Sequence, residues 1–204
     1  MALTRFQELK KRIRELGENL LPAISPTGTY TVRELDRVRG YRLLVHAEVE
    51  SFLEECVRKV ANDVLAGWNL DNKLRPALFC LIAFYSQQDI VSHKQLRDEY
   101  AGVKRRLGEA LLQANQSFNR AVSQNNGVRE RDVLRLLFPV GVKRTEIDPV
   151  WLGTIDSFGA NRGEIAHSSI KTHQPLDPAS ELKTVQMIVD GLKGINQVLN
   201  RLGK

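Results

Sequence analysis

Residues 32–66 carry apolar side chains at helical spacing with no proline among them, and Thr31-Val32-Arg33-Glu34 at their start has the form of a capping box. Gly67 then offers a natural stop. One long helix is predicted there. Its apolar positions are Tyr41, Leu44, Val45, Val49, Phe52, Leu53, Cys56, Val57, Val60 and Val64. They cover a wide arc, as suits a central helix contacted by several neighbours. Arg42, His46 and Glu48 fall within or at the edges of that arc, and Glu50 lies just outside it. They read either as boundary residues or as partners for a buried charge elsewhere.

The rest of the chain repeats the helical period. Residues 4–20 place Phe6, Leu9, Ile13, Leu16 and Leu20 on one face, opposite Arg5, Lys10, Lys11, Arg12 and Arg14. That basic face is a solvated surface or an RNA-facing patch. Pro22, Pro26 and Gly28 make 22–30 a connector. Residues 75–86 are short and apolar nearly all round, and Pro76 at their start favours a buried helix over a strand. Ser92-His93-Lys94-Gln95 offers a capping box for a helix reaching about Ser123. A turn at Gln124-Asn125-Asn126-Gly127 precedes a short helix over Arg129–Leu137. Asp177 and Pro178 open the last helix, with Leu182, Val185, Ile188, Val189, Leu192, Ile195, Val198, Leu199 and Leu202 as its apolar stripe. No strand pattern occurs. An all-α fold is predicted, roughly seven helices in an antiparallel bundle forming one domain over 1–204.

A chain of 204 residues is long enough for a real core. A net charge of +6 leans mildly towards a polyanionic partner. Cys56 and Cys80 sit in apolar helical patterns and read as reduced core residues. Lys10, Lys11, Arg12 and Arg14 interrupt any signal-like apolar run, and Ala77–Tyr85 is too short to span a bilayer. A soluble, cytoplasmic protein without membrane partners is expected.

The chemistry concentrates in Asp148–His167. Asp148 can cap a helix that Pro149 begins, and Trp151, Ile155, Phe158, Arg162 and Ala166 then share one stripe. A guanidinium on an apolar stripe calls for an anion. His167 stands where the helix ends, among free carbonyls that favour a protonated imidazole. Phosphate-binding glycine loops, nucleophile elbows and zinc-protease motifs are absent, and the four dispersed histidines offer no metal-ligand spacing. What remains is Arg162-x4-His167. The spacing alone should arise about once by chance, and Arg39-x6-His46 is a second match. Context separates them, because only Arg162 lies in an apolar stripe beside a helix end.

Three stretches together resemble a HEPN domain, the higher-eukaryote and prokaryote nucleotide-binding superfamily. Tyr41–Glu54 resembles the family's early long helix. Asn125–Pro139 is similar to a segment of one bacterial branch, and Asp148–His167 carries the R-x4-6-H motif before the final helix. The resemblance implies a metal-independent endoribonuclease acting as a homodimer, with both motifs meeting at the two-fold. It also implies a toxin or phage-defence role, with an antitoxin or sensor protein as possible partner and no cofactor. Arg162 would then hold phosphate oxygens in its planar fork and His167 would transfer protons. Asn161, Arg42, His46, Glu48 and Glu50 would support the site or bind substrate. One residue departs from the pattern: active members usually carry a polar residue after the arginine, and here it is Gly163. The alternative is a non-catalytic interaction or nucleotide-binding module in which Arg162 pairs with Glu48 or Glu50.

Overall fold

The computed structural model describes residues 4–85, 100–167 and 176–204, with residues 100, 101, 103 and 161–167 described as backbone only. Among them are seven α-helices and no strand, packed as a helical bundle. They are α1 (Arg5–Leu20), α2 (Val32–Asp71), α3 (Pro76–Tyr85), α4 (Tyr100–Ser123), α5 (Glu130–Leu137), α6 (Pro149–His167) and α7 (Pro178–Leu202). None is long and apolar enough to cross a membrane. The proposed cap at Ser92–Gln95, with His93, lies outside the described residues.

The helix starts follow from local chemistry. Thr4 caps α1, its side chain accepting from the Gln7 amide while the Gln7 side chain accepts from the Thr4 amide. Before α2 the same reciprocal pair joins Thr31 and Glu34, at 2.8 and 3.3 Å. Asp148 accepts from the Val150 amide and Asp177 from the Ser180 amide, both at 2.8 Å.

The end of α2 differs from the expectation. The helix runs through Gly67 to Asp71 and stops at Asn72, whose φ of 56° is left-handed and whose amide donates to the Trp68 carbonyl at 2.9 Å. Gly67 answers a different need. A Cβ there would stand 3.1 Å from the guanidinium carbon of Arg75, so the glycine makes room for a cation that donates to the Gly203 carbonyl.

The chain gathers into two compact units. The first comprises Met1–Leu53, Asn126–Val133 and Ile147–Asn196. Its core joins Leu9, Ile13 and Leu16 of α1 to Tyr41, Val45, Val49 and Phe52 of α2. Trp151, Ile155 and Phe158 of α6 and Val185, Ile188 and Leu192 of α7 complete it. The second comprises Glu54–Asn125, Leu134–Glu146 and Gln197–Lys204. Here Val57, Ala61 and Val64 share a core with Leu78 and Leu81 of α3 and Leu111, Phe118 and Val122 of α4. The α3 helix is not buried all round, because Phe79 and Phe84 face solvent. Two further apolar expectations fail: Leu44 and Leu182 are 44% and 50% exposed. The cysteines are free and half-buried.

A close seam of the first unit lies between α6 and α7. The Trp151 indole N–H donates to the Ile188 carbonyl at 3.1 Å. Its ring occupies the place of a side chain at Gly191, where a Cβ would come within 2.0 Å of Trp151 Cδ1. Gly191→Ala must therefore displace a buried indole, and a loss of about 1–3 kcal/mol or more is expected. Gly194→Ala, one turn on with nothing within 4 Å of its Cβ, should instead gain up to about 1 kcal/mol from helix propensity. Urea unfolding of the two variants checks this contrast.

Candidate functional site

Ahead of the motif, the helix that carries Arg162 and His167 is fixed to its surroundings. Asp156 of α6 accepts from the Glu130 amide at 3.0 Å and from Arg129 Nε at 3.3 Å. The amide bond above all holds its carboxyl below the usual range; burial opposes this, and the bond and charge of Arg129 add to the lowering. One turn on, Gly159 lets the chain at Val128–Arg129 lie directly on α6; a Cβ there would stand 3.0 Å from the Arg129 nitrogen. The adjoining face turns Trp151, Ile155 and Phe158 into the core, as the stripe predicted. The helix continues unbroken to His167. Asn161, Arg162 and His167 thus occupy its last two turns, and their side chains lie outside the described residues.

Facing Phe158 from α2 are two of the polar residues singled out in the sequence. Arg42 is 4% exposed. Its guanidinium carbon lies 4.7 Å from the centroid of the Phe158 ring, and Nη2 donates to the Phe158 carbonyl at 3.4 Å. One turn along α2, the buried His46 ring stacks on the same phenyl ring, with centroids 6.1 Å apart and planes 20° from parallel. His46 Nδ1 lies 3.6 Å from Glu50 Oε2. Arg42, His46 and Glu50 therefore form a column on α2, at i, i+4 and i+8. Glu48 stands apart from it and accepts from Arg12 Nε at 3.3 Å.

The partner of Arg42 comes from α7. Glu181, 5% exposed, accepts from Arg42 Nη1 at 2.5 Å. Sequence reasoning missed this residue, although a signal was present. Glu181 stands four positions before Val185, on the stripe continued by Ile188 and Leu192. Beginning that stripe at Leu182 turned it by one residue, about 100° of helix. Burial pushes Glu181 up and Arg42 down; in each case the partner's charge opposes that shift without cancelling it, and the Asp177 charge adds to the rise at Glu181. The pair is incompletely satisfied: Arg42 Nε, Glu181 Oε2 and the Tyr41 hydroxyl are buried without a hydrogen-bond partner among the described residues. Burial and the Glu181 charge push the Tyr41 phenol from 10.0 up to about 12.

Two measurements test this cluster. Arg42→Met leaves the Glu181 carboxylate buried and alone, and should cost about 3–5 kcal/mol in denaturant unfolding. Arg42→Met combined with Glu181→Leu should recover most of it, since neither charge is then stranded. For Tyr41, the folded phenol keeps its proton up to about pH 12 whereas the unfolded one ionises near 10.0. The unfolded chain binds fewer protons across that window, so stability falls as pH rises through it. The fall should reach about 3 kcal/mol in all. Unfolding of Tyr41→Phe between those pH values should lack this component. Near neutrality the variant should be as stable as the parent or more so, because it removes an unpartnered buried hydroxyl.

These features belong to a recognisable kind of domain. No curated protein sequence and no solved structure matches the chain significantly. Residues 7–201 match the sequence profile of the RiboL-PSP-HEPN domain. That match takes in α2 to α6 entire, with the polar column on α2 and the motif-bearing α6, and nearly all of α1 and α7. The chain belongs to the RiboL-PSP-HEPN family, within the HEPN superfamily.

Proposed function

We propose that this protein is a metal-independent endoribonuclease of HEPN type. The observation that carries the reading is the family match over 7–201, with Arg162-x4-His167 in the last turns of a single unbroken helix. Family membership makes RNA the substrate to test first. The reaction is an internal transfer at phosphorus. The 2′-oxygen attacks the adjacent phosphorus while its proton passes to a base, and the bond from phosphorus to the 5′-oxygen breaks. That oxygen takes a proton from an acid, leaving a 2′,3′-cyclic phosphate and a 5′-hydroxyl.

An imidazole titrating near roughly 6.5 suits either proton transfer, but one ring does not perform both in a single turnover step. A homodimer with His167 from each protomer at a shared cleft supplies both. Arg162 binds two phosphate oxygens and stabilises their growing charge. His46 and Glu50 support the site from α2. Arg42, already committed to Glu181 and Phe158, contributes by holding α6 in place. Asn161 adjoins the phosphate-binding arginine, and Gly163 leaves it as the neighbouring polar residue. In a cell such an activity suits a toxin or a phage-defence effector, restrained by an antitoxin or sensor protein.

The purified protein should cut single-stranded or loop RNA in the presence of EDTA and leave 2′,3′-cyclic phosphate ends. His167→Ala should lower the rate by about 10²–10⁴-fold, with an unchanged melting temperature and an unchanged oligomeric state in sedimentation. Equal cutting by His167→Ala would remove the assignment. It would leave the non-catalytic module, in which Arg162 serves as an ion-pair residue.

A further inference from the structure

The first unit holds an open groove of about 510 Å³ that the ribonuclease reading does not use. One wall is α1, from Lys10 past Arg14 and Gly17 to Leu21; the other is α7, through Leu182, Val185 and Val189. The Tyr41 ring lies on the floor, and Pro22 continues the wall beyond the end of α1. Gly17 stands in the α1 wall without a side chain. A Cβ at that position would sit 3.9 Å from the Tyr41 ring and 4.0 Å from Leu21, in ordinary contact, so substitution there is sterically open at the backbone.

The two ends differ in charge. Lys10 and Arg14 are exposed and enter no ion pair among the described residues, whereas their neighbours Lys11 and Arg12 are engaged by Glu15 and Glu48. A shallower hollow of about 280 Å³, lined by Gln7, Lys10, Lys11 and Arg14, adjoins this end. Lys10 and Arg14 thus line both depressions. Towards the other end the groove is apolar, with Leu21 and Pro22 along the wall, and Glu18 sets a negative charge there. An anion is drawn to the first end and repelled from the second. Repeated phosphates of an RNA strand find only one cationic end here; Ile13, Val185 and Val189 have no polar edge to pair with a base, and the side-chain amide of Gln186 on the same wall already donates to Asp190 at 2.9 Å.

We propose that this groove binds a small amphipathic anion. Its apolar body lies along Ile13, Gly17 and Leu21, and a carboxylate or phosphate head sits against Lys10 and Arg14. The volume falls within the roughly 300–1,000 Å³ of small-molecule sites, which pair apolar walls with a few polar groups in this way. The inference stands independently of RNA cleavage.

Titration calorimetry with monomeric dodecanoate, dodecyl phosphate and neutral dodecanol tests it on the full chain. One equivalent of each anion should bind, and dodecanol should bind at least tenfold more weakly. The arm that binds more tightly tells a fatty-acid-like carboxylate from a phosphate head. Gly17→Trp fills the groove and should abolish binding. Lys10→Ala with Arg14→Ala leaves the apolar walls intact and should weaken both anions at least tenfold while leaving dodecanol unchanged. Equal affinity for anionic and neutral chains overturns the proposal, as does binding that survives Gly17→Trp in a protein of unchanged melting temperature. A short oligoribonucleotide that binds Lys10 and Arg14 while neither amphiphile binds would make this face an RNA contact, and would overturn it too.

Discussion

The buried pair of Arg42 and Glu181 is the constraint on which the first unit depends. Two charges taken out of water cost more than their attraction returns unless further bonds hold them. Arg42 finds these in the carbonyl and ring face of Phe158, so the pair ties together α2, α6 and α7. That arrangement sits one helical turn before the Arg162–His167 motif. The residues that make α6 rigid and the residues proposed to act on RNA therefore share one helix. The pair thus joins the three helices at one point within an otherwise apolar core.

Around this pair, small residues decide how closely helices approach. Gly191 admits the Trp151 ring, Gly159 admits the chain at Arg129, and Gly67 admits the Arg75 guanidinium. At Gly191 and Gly159 a methyl group would meet a buried indole or backbone, whereas at Gly67 the flexible Arg75 side chain would have to shift slightly. These contacts explain why glycine is tolerated within helices, where its backbone freedom is costly.

Much of this was legible in the sequence, because it rests on local rules. Capping residues at Thr31, Asp148 and Asp177 announced their helices, and the spacing of Trp151, Ile155 and Phe158 identified the buried face of α6. Arg42 and His46 were visible as polar residues inside an apolar arc, and both are buried against Phe158. The failures have a common cause in contacts between distant residues. Gly67 looks like a helix stop until Arg75 is placed beside it, and Phe79 and Phe84 look like core until the neighbours of α3 are known. Glu181 was passed over for the adjacent Leu182 because hydrophobicity alone set the stripe, and the charge it meets lies 139 residues away. The motif's identification rested on three stretches resembling one family, since its spacing carries almost no information.

That separation has a consequence for how such a chain changes over generations. Residues 42 and 181 are far apart in sequence, yet through their bond the effect of changing one depends on the other. A lineage that exchanges this pair for apolar residues has to cross an intermediate holding one stranded charge, and a marginally stable protein has little room for it. The crossing is open to lineages whose remaining contacts, the Trp151–Gly191 seam among them, have first become strong enough to carry the fold. Divergence at this site is thus governed by the order in which substitutions arrive.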